Sequence, residues 1–199
     1  MPFAYKSPIN EHKVFFKTRL YFTVIVTLFI WTLLLWDYTH GGVPSHHILA
    51  NEDLPAISNW WGVLLLPLLT WFLLYRIQIR IDGEGLGHSS VENEFKTTFY
   101  RFAGSLHFAL LLSLFFTYGY PDICGYMILA LFPVGLFFRI YRAECLLGFV
   151  IGMTFTFGAV LSTGIGSILV LAGAILYVYF REGIIYVLSR FAPRTSSGK

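Results

Sequence analysis

Residues 36–62 read WDYTHGGVPSHHILANEDLPAISNWWG and join two long apolar segments, residues 20–36 and 60–75. The stretch contains three acidic residues and three histidines but no lysine or arginine. Its glycines and prolines interrupt helix formation. Tryptophans stand at both ends, as they do where a chain passes the headgroup level of a membrane. The pattern predicts a polar connection between two membrane-spanning helices.

The composition excludes an ordinary soluble domain. Of the 199 residues, 56% are hydrophobic and only 13% are charged, whereas soluble domains have about 25% charged residues. The mean hydropathy is +0.67. Lipid must therefore cover much of the surface, and a lipid bilayer is the first partner that the sequence predicts. No segment has the pattern of a nucleic-acid-binding motif.

Further apolar segments follow the first two. They are joined by short polar connections and lie at residues 99–118, 122–138, 145–163 and 167–180. Segments of this kind are typical of helices that cross a bilayer, which need roughly 20 residues. The glycines at 164–166 predict a tight turn between the last two segments. We predict an all-α fold, a bundle of six transmembrane helices in residues 20–191. An amphipathic arm (1–19) precedes it and a flexible tail (192–199) follows.

All the lysines and arginines lie on one side of this predicted bundle. The N-terminal arm carries four, residues 76–101 carry four, residues 139–142 carry two and the C-terminal part carries four. The longest connection on this side, residues 81–96, is predicted to be a solvated loop. Because loops rich in lysine and arginine stay cytoplasmic, both termini are predicted to be cytoplasmic and residues 36–62 to face the outside. A plasma membrane or bacterial inner membrane is the predicted location.

The histidines of residues 36–62 indicate a metal site. Asp37 and His40 are three residues apart and share a helix face if the first helix continues one turn beyond Trp36. His46 and His47 are neighbours, and in an extended chain they point to opposite sides. Asp37, His40 and one of this pair would form a set with an open position, typical of a catalytic zinc or another divalent metal. The alternative is a group of ordinary interfacial polar residues.

The predicted site is compatible with two functions. In the first, the protein is a membrane-embedded, metal-dependent hydrolase that acts on lipid or another amphipathic substrate at the outer interface. Asp122 or Glu52 would then be its catalytic base. In the second, the acidic, histidine-containing stretch is the outer mouth of a small transporter or channel, and its histidines sense pH. An accessory subunit without chemistry of its own is a third interpretation.

Some residues inside the apolar segments also have two interpretations. His107 lies well inside a predicted span, and it is either functional or a neutral histidine that hydrogen-bonds across helices. Gly148 and Gly152 permit close helix approach, either within the chain or in a homo-oligomer. Cys124 and Cys145 are predicted near opposite membrane surfaces, so no disulfide is predicted between them.

Overall fold

The computed structural model describes residues 8–47, 56–83, 88–180 and Gly183. It is 89% helical, which confirms the all-α prediction. The main helices are α1 (Pro8–Thr39), α2 (Gly62–Gly83), α3 (His88–Thr117), α4 (Pro121–Phe137) and α5 (Ala143–Ile175). A 3-10 turn (Asn59–Trp61) precedes α2, and a π-helical turn (Leu176–Phe180) extends α5.

Most of the predicted solvated loop at residues 81–96 is helical. The end of α2 at Gly83 and the start of α3 at His88 leave a connection of residues 84–87, which lies outside the described residues. The polar residues of this region therefore belong to the end of α2 and the start of α3, beyond the apolar parts of these helices. The first helix is also longer than predicted, because α1 includes the second half of the predicted N-terminal arm.

Two short strands lie between α1 and α2. Strand β1 (Ser45–His47) pairs with β2 (Ala56–Ser58) in antiparallel register, with His46 opposite Ile57. Beyond the strands, the Asn59 N–H donates to the Pro44 carbonyl at 3.2 Å. This ladder brings the end of α1 close to the start of α2.

Much of the described chain is apolar enough to lie in a membrane. Helical stretches of sufficient length and apolarity to cross a bilayer are Phe15–Thr39, Asn59–Asp82, Val91–Thr117 and Ala143–Phe180. Pro121–Phe137 is a shorter apolar helix. Large hydrophobic side chains are exposed on all of these helices. This surface is the one that a bilayer would cover.

The chain reverses direction inside α5, at Gly158. A Cβ atom on Gly166 would lie 2.8 Å from Leu146 Cδ1, and one on Gly173 would lie 2.8 Å from Ile140 Cγ1. In an unbroken helix, Leu146 and Gly166 would be about 30 Å apart. The dihedral angles of Gly158, φ +75° and ψ 163°, produce the reversal. This backbone region is essentially restricted to glycine.

The two parts of α5 are antiparallel, and we call residues 143–157 the first leg and residues 159–175 the second leg. The turn predicted at residues 164–166 is wrong, because these residues are helical within the second leg. Gly166 allows the second leg to approach the first closely instead of forming a turn. From the sequence alone, a glycine at a close helix contact cannot be distinguished from a glycine in a turn.

The first leg of α5 lies at the centre of the bundle. One of its sides packs against α1 and α2, where Leu147 and Val150 join a buried cluster with Ile30 and Leu66. Its other side, which includes Met153, packs in a second cluster between α3 and α4. The helix is therefore covered on both sides by the rest of the chain.

Gly148 and Gly152 face α3 of the same chain. A Cβ atom on Gly148 would lie 2.5 Å from the Phe102 carbonyl oxygen, and one on Gly152 would lie 2.7 Å from the Ala109 Cβ. Close approach of helices is thus what these glycines provide. Within the chain, α3 occupies this face. Homo-oligomerisation stays a prediction.

The helix ends form two distinct ends of the bundle. We call the end at Arg80, Arg101 and Arg142 the basic end, and the end at Asp37 and Asp122 the acidic end. Helices α1 and α2 are antiparallel, whereas α3 and the first leg of α5 run parallel from the basic end. The reversal of α5 therefore lies near the acidic end.

Candidate functional site

Glu144 is fully buried at the start of the first leg and is bound by two arginines. Arg80 Nη1 donates to both carboxylate oxygens, at 2.9 Å and 3.2 Å, and Arg101 Nη1 reaches Oε1 at 3.5 Å. Arg80 also donates from Nη2 to Thr98 Oγ1 at 2.9 Å. Because a buried charge must be paired, these four residues fix α2, α3 and α5 relative to one another at the basic end.

A second ion pair adds to the charge at the basic end. Arg142 Nη1 lies 3.7 Å from Glu94 Oε2, and the two side chains are 10% and 27% exposed. Burial, together with the guanidinium groups of Arg80 and Arg101, lowers the pKa of Arg142 below its ordinary value, although the group stays charged. With Arg139 included, four guanidinium groups face two carboxylates here. The basic end therefore carries surplus positive charge.

A cavity of about 640 Å³ adjoins this cluster of charges. It lies between α3, α4 and both legs of α5. Along α3 it extends from Thr97 to Phe108, or roughly 16 Å. Its volume is within the range of about 300–1,000 Å³ that is typical of small-molecule sites. The walls are mainly apolar and include Phe108, Met127, Leu131, Phe149, Leu169 and Val170.

The charged groups of the cavity are gathered at its basic end. Arg101 and Arg139 line it there, together with Thr97. Arg139 Nε donates to the Tyr177 hydroxyl at 3.0 Å, which orients the guanidinium group at the edge of the cavity. This arrangement is suited to a molecule that is apolar along most of its length and polar at one end.

The cavity opens sideways between α3 and α4. The two helices meet nearer the acidic end, where the Cys124 thiol donates to the Leu112 carbonyl at 3.5 Å. Towards the basic end they separate, and the cavity is bordered by the exposed residues Tyr100, Gly104 and Val134. A Cβ atom on Gly104 would have no neighbour within 4 Å. In a bilayer, this opening would face lipid.

The structure describes part of the predicted metal site. Helix α1 includes Asp37 and ends at Thr39, so it continues beyond Trp36 as the prediction requires. His40, however, stacks on the Trp36 ring with 3.9 Å between centroids, and its Nδ1 lies 3.0 Å from the Trp36 carbonyl oxygen. Within the described residues, no group of three or more His, Cys, Asp or Glu side chains could hold a metal ion.

The remaining predicted site residues are described only in part. His46 and His47 lie in β1, so their backbone is extended as predicted. Their side chains and all of Glu52 lie outside the described residues. Asp122 is exposed in the first turn of α4, where the helix dipole favours a carboxylate. The metal site, its divalent metal and the catalytic base therefore stay predictions.

The residues inside the spans have different surroundings. His107 is exposed on α3, away from the first leg of α5. Cys124 is buried between α3 and α4, whereas Cys145 lines the cavity near the basic end, and both are free thiols.

Sequence reasoning missed Asn59, which stabilises the reversal of α5. Asn59 is 5% exposed, and its Oδ1 accepts a hydrogen bond from the Ala159 N–H at 3.1 Å. Asn59 thus caps the buried start of the second leg from a distant part of the chain. The signal that the sequence offers for this role is a polar amide, Asn59, at the start of an apolar segment. Glu144 was also missed as a site residue, because an acid at the end of an apolar segment is ordinary.

The fold is a helical bundle whose long apolar helices are consistent with a membrane protein, and comparison with known proteins does not narrow that class. A scan against protein-family models, a search of curated proteins and a search of solved structures each found no match. The choice among functions therefore depends on the geometry of the two ends of the bundle.

Proposed function

We propose that this chain is a six-crossing membrane protein that binds an amphiphilic molecule from the bilayer in the cavity between α3, α4 and α5. The observation that carries the proposal is the cavity, with apolar walls and the guanidinium groups of Arg101 and Arg139 at one end. Its sideways opening supports access from the membrane rather than from water.

The proposed topology counts each leg of α5 as one crossing. The absence of lysine and arginine from residues 36–62, against their abundance at the basic end, supports a cytoplasmic basic end with both termini on that side. A first leg at residues 143–157 is only about 22 Å long, shorter than the roughly 30 Å hydrocarbon core. The reversal would then lie inside the bilayer, which accounts for the Asn59 cap, since backbone N–H groups in lipid need a protein acceptor.

The binding proposal has an energetic consequence. An acyl chain that moves from lipid into an apolar cavity exchanges one hydrocarbon surface for another, so it gains little hydrophobic free energy. Affinity must then come from packing and from the polar end of the ligand. The guanidinium groups at the basic end could bind the polar end of the ligand and so contribute to this affinity.

The proposal predicts that filling the cavity opening weakens binding. In Gly104→Trp a Cβ atom meets no other atom within 4 Å, and the indole is introduced at the border of the cavity. We expect photolabelling of the reconstituted protein by a diazirine-bearing fatty acid to fall about tenfold, which corresponds to about 1.4 kcal/mol. In wild type the label is expected on peptides that contain Phe108, Met127 or Leu169.

Gly164→Trp is the matched control. Gly164 is also a helical glycine with no atom within 4 Å of its Cβ position, but it does not line the cavity. Labelling in this variant should equal that of wild type. Wild-type label spread evenly over all lipid-facing helices, or unchanged by Gly104→Trp, would contradict an amphiphile site here.

A metal-dependent hydrolase at the acidic end is the second candidate, and one of the two tautomers of His40 is compatible with it. With the proton on Nδ1, the contact with the Trp36 carbonyl leaves Nε2 as a lone-pair donor. Metal-binding histidines are commonly oriented in this way. A transporter or channel with an acidic, pH-sensing outer mouth is the alternative use of the same residues, and no contact in the described residues favours it.

The hydrolase proposal predicts that the purified, tag-free protein holds about one zinc or similar ion per chain. A triple substitution of His40, His46 and His47 by alanine should remove the ion, because these residues are its predicted ligands. His107→Ala, which changes an exposed histidine of α3, should retain it. The measurement is metal content by inductively coupled plasma mass spectrometry. Wild-type protein without stoichiometric metal, purified without chelators, would rule this candidate out.

A further inference from the structure

We propose that the cavity selects amphiphiles with an anionic head group, a carboxylate or a phosphate monoester, over neutral and zwitterionic amphiphiles of the same chain length. Arg139 and Arg101 would provide this selectivity. The inference rests on the proposed function, because it concerns the chemistry of the ligand in the same cavity. It commits to a membrane amphiphile rather than to a free anion.

The charge balance around Glu144 leaves Arg101 able to bind a ligand. Arg80 makes both short contacts with the carboxylate, at 2.9 Å and 3.2 Å, and so neutralises it. Arg101 reaches the same carboxylate only at 3.5 Å, and its side chain is 29% exposed. Arg101 also lines the cavity, whereas Arg80 does not. The positive charge of Arg101 is therefore the less compensated of the two.

Arg139 contributes a second positive charge at the opening. In the described part of the chain, no carboxylate lies within 4 Å of its guanidinium group. The hydrogen bond from Nε to Tyr177 orients the group but adds no negative charge. Arginine presents its N–H donors in a planar fork that matches both carboxylate and phosphate geometry. Two such groups at one end of an apolar cavity are complementary to an anionic head.

The alternatives to an anion fit this end of the cavity less well. A neutral head group would leave the surplus charge of the two arginines uncompensated. A zwitterionic head would bring a cation near guanidinium groups that already repel one another. A free anion would contact the arginines but would leave the apolar walls without a ligand.

Competition with the photoactivatable fatty acid tests the selectivity. The competitors share one acyl length and are a fatty acid, a lysophosphatidic acid, a monoacylglycerol and a lysophosphatidylcholine, with inorganic phosphate as the free anion. We expect the two anionic lipids to displace the probe at about tenfold lower concentration than the other two lipids, the factor that one modest charge-assisted hydrogen bond gives. Inorganic phosphate should not displace it.

Two arginine variants identify the source of the selectivity. Arg139→Gln removes a charge whose side chain, among the described residues, hydrogen-bonds to Tyr177, and it should reduce the preference for anionic lipids several-fold. Arg76→Gln removes an exposed charge from α2 that does not line the cavity, and the preference should be unchanged. Equal effects of the two variants would mean a general surface potential and would overturn the inference.

The failure of the inference is distinguishable from that of the proposed function. Equal displacement by all four lipids would overturn the selectivity while leaving the amphiphile site intact. Displacement by inorganic phosphate would show an anion site in place of an amphiphile site. Wild-type protein that carries no label in the cavity peptides would overturn the proposed function itself.

Discussion

Replacing Glu144 by glutamine is expected to destabilise the folded protein by about 3 kcal/mol. Removing one partner of a buried ion pair costs about 3–5 kcal/mol, because the remaining charge stays in a medium of low polarity. The lower value applies because the side chains of Arg80 and Arg101 are 21% and 29% exposed and are partly solvated after the change. Glutamine preserves the size of the side chain, so the loss would report charge rather than packing.

The free energy of unfolding can be measured for this variant by titration with SDS in mixed micelles. Glu92→Gln is the matched control, since Glu92 pairs with Lys96 at 2.8 Å but both side chains are largely exposed. Exposed pairs contribute little to stability, so this control should unfold almost as wild type does. A loss in Glu144→Gln no larger than the loss in Glu92→Gln would contradict the structural role of the buried carboxylate.

Replacing Gly158 by alanine is expected to cost about 3 kcal/mol or more. Its dihedral angles, φ +75° and ψ 163°, impose a strain of about 1–3 kcal/mol on any residue with a Cβ atom. That Cβ would also overlap the amide group of Asn59. Displacing Asn59 would leave the buried Ala159 N–H without its acceptor, which adds about 1–3 kcal/mol.

The control for Gly158→Ala is the same change at Gly164. This glycine is helical, and a Cβ atom there would have no neighbour within 4 Å. Gly164→Ala should stabilise the protein by up to about 1 kcal/mol, because alanine favours the helix. The same SDS titration compares the two variants. If the destabilising substitution were instead the one at Gly164, the chain would reverse where the sequence predicted the turn.

These two sites show which parts of the fold could be predicted from the sequence. Helix α4 was predicted within one residue at each end, because a proline opens it and its apolar run is uninterrupted. The reversal could not be placed, because glycine is common both in turns and at close helix contacts. The chain reverses at Gly158 because Asn59 caps the helix that follows it. Asn59 lies about a hundred residues earlier in the chain, so the two are brought together only in the folded bundle.

Only part of the candidate sites could be predicted from the sequence. The histidines from His40 to His47 are close in sequence, so they are conspicuous without a structure. The cavity is formed by side chains from Thr97 to Val170, which three helices bring together. The apolar lining residues are of the types expected in any membrane helix, so none of them stands out in the sequence. In the sequence the arginines indicate topology, and only the folded chain brings Arg101 and Arg139 to one end of a cavity.

The central claim is that the cavity between α3, α4 and α5 holds an amphiphile from the membrane. Native mass spectrometry of the protein released from its membrane tests this claim directly. We predict a mass adduct of one lipid per chain in wild type and in Gly164→Trp, and its loss in Gly104→Trp. Wild-type protein without a bound lipid, or an adduct that persists in Gly104→Trp, would contradict the claim.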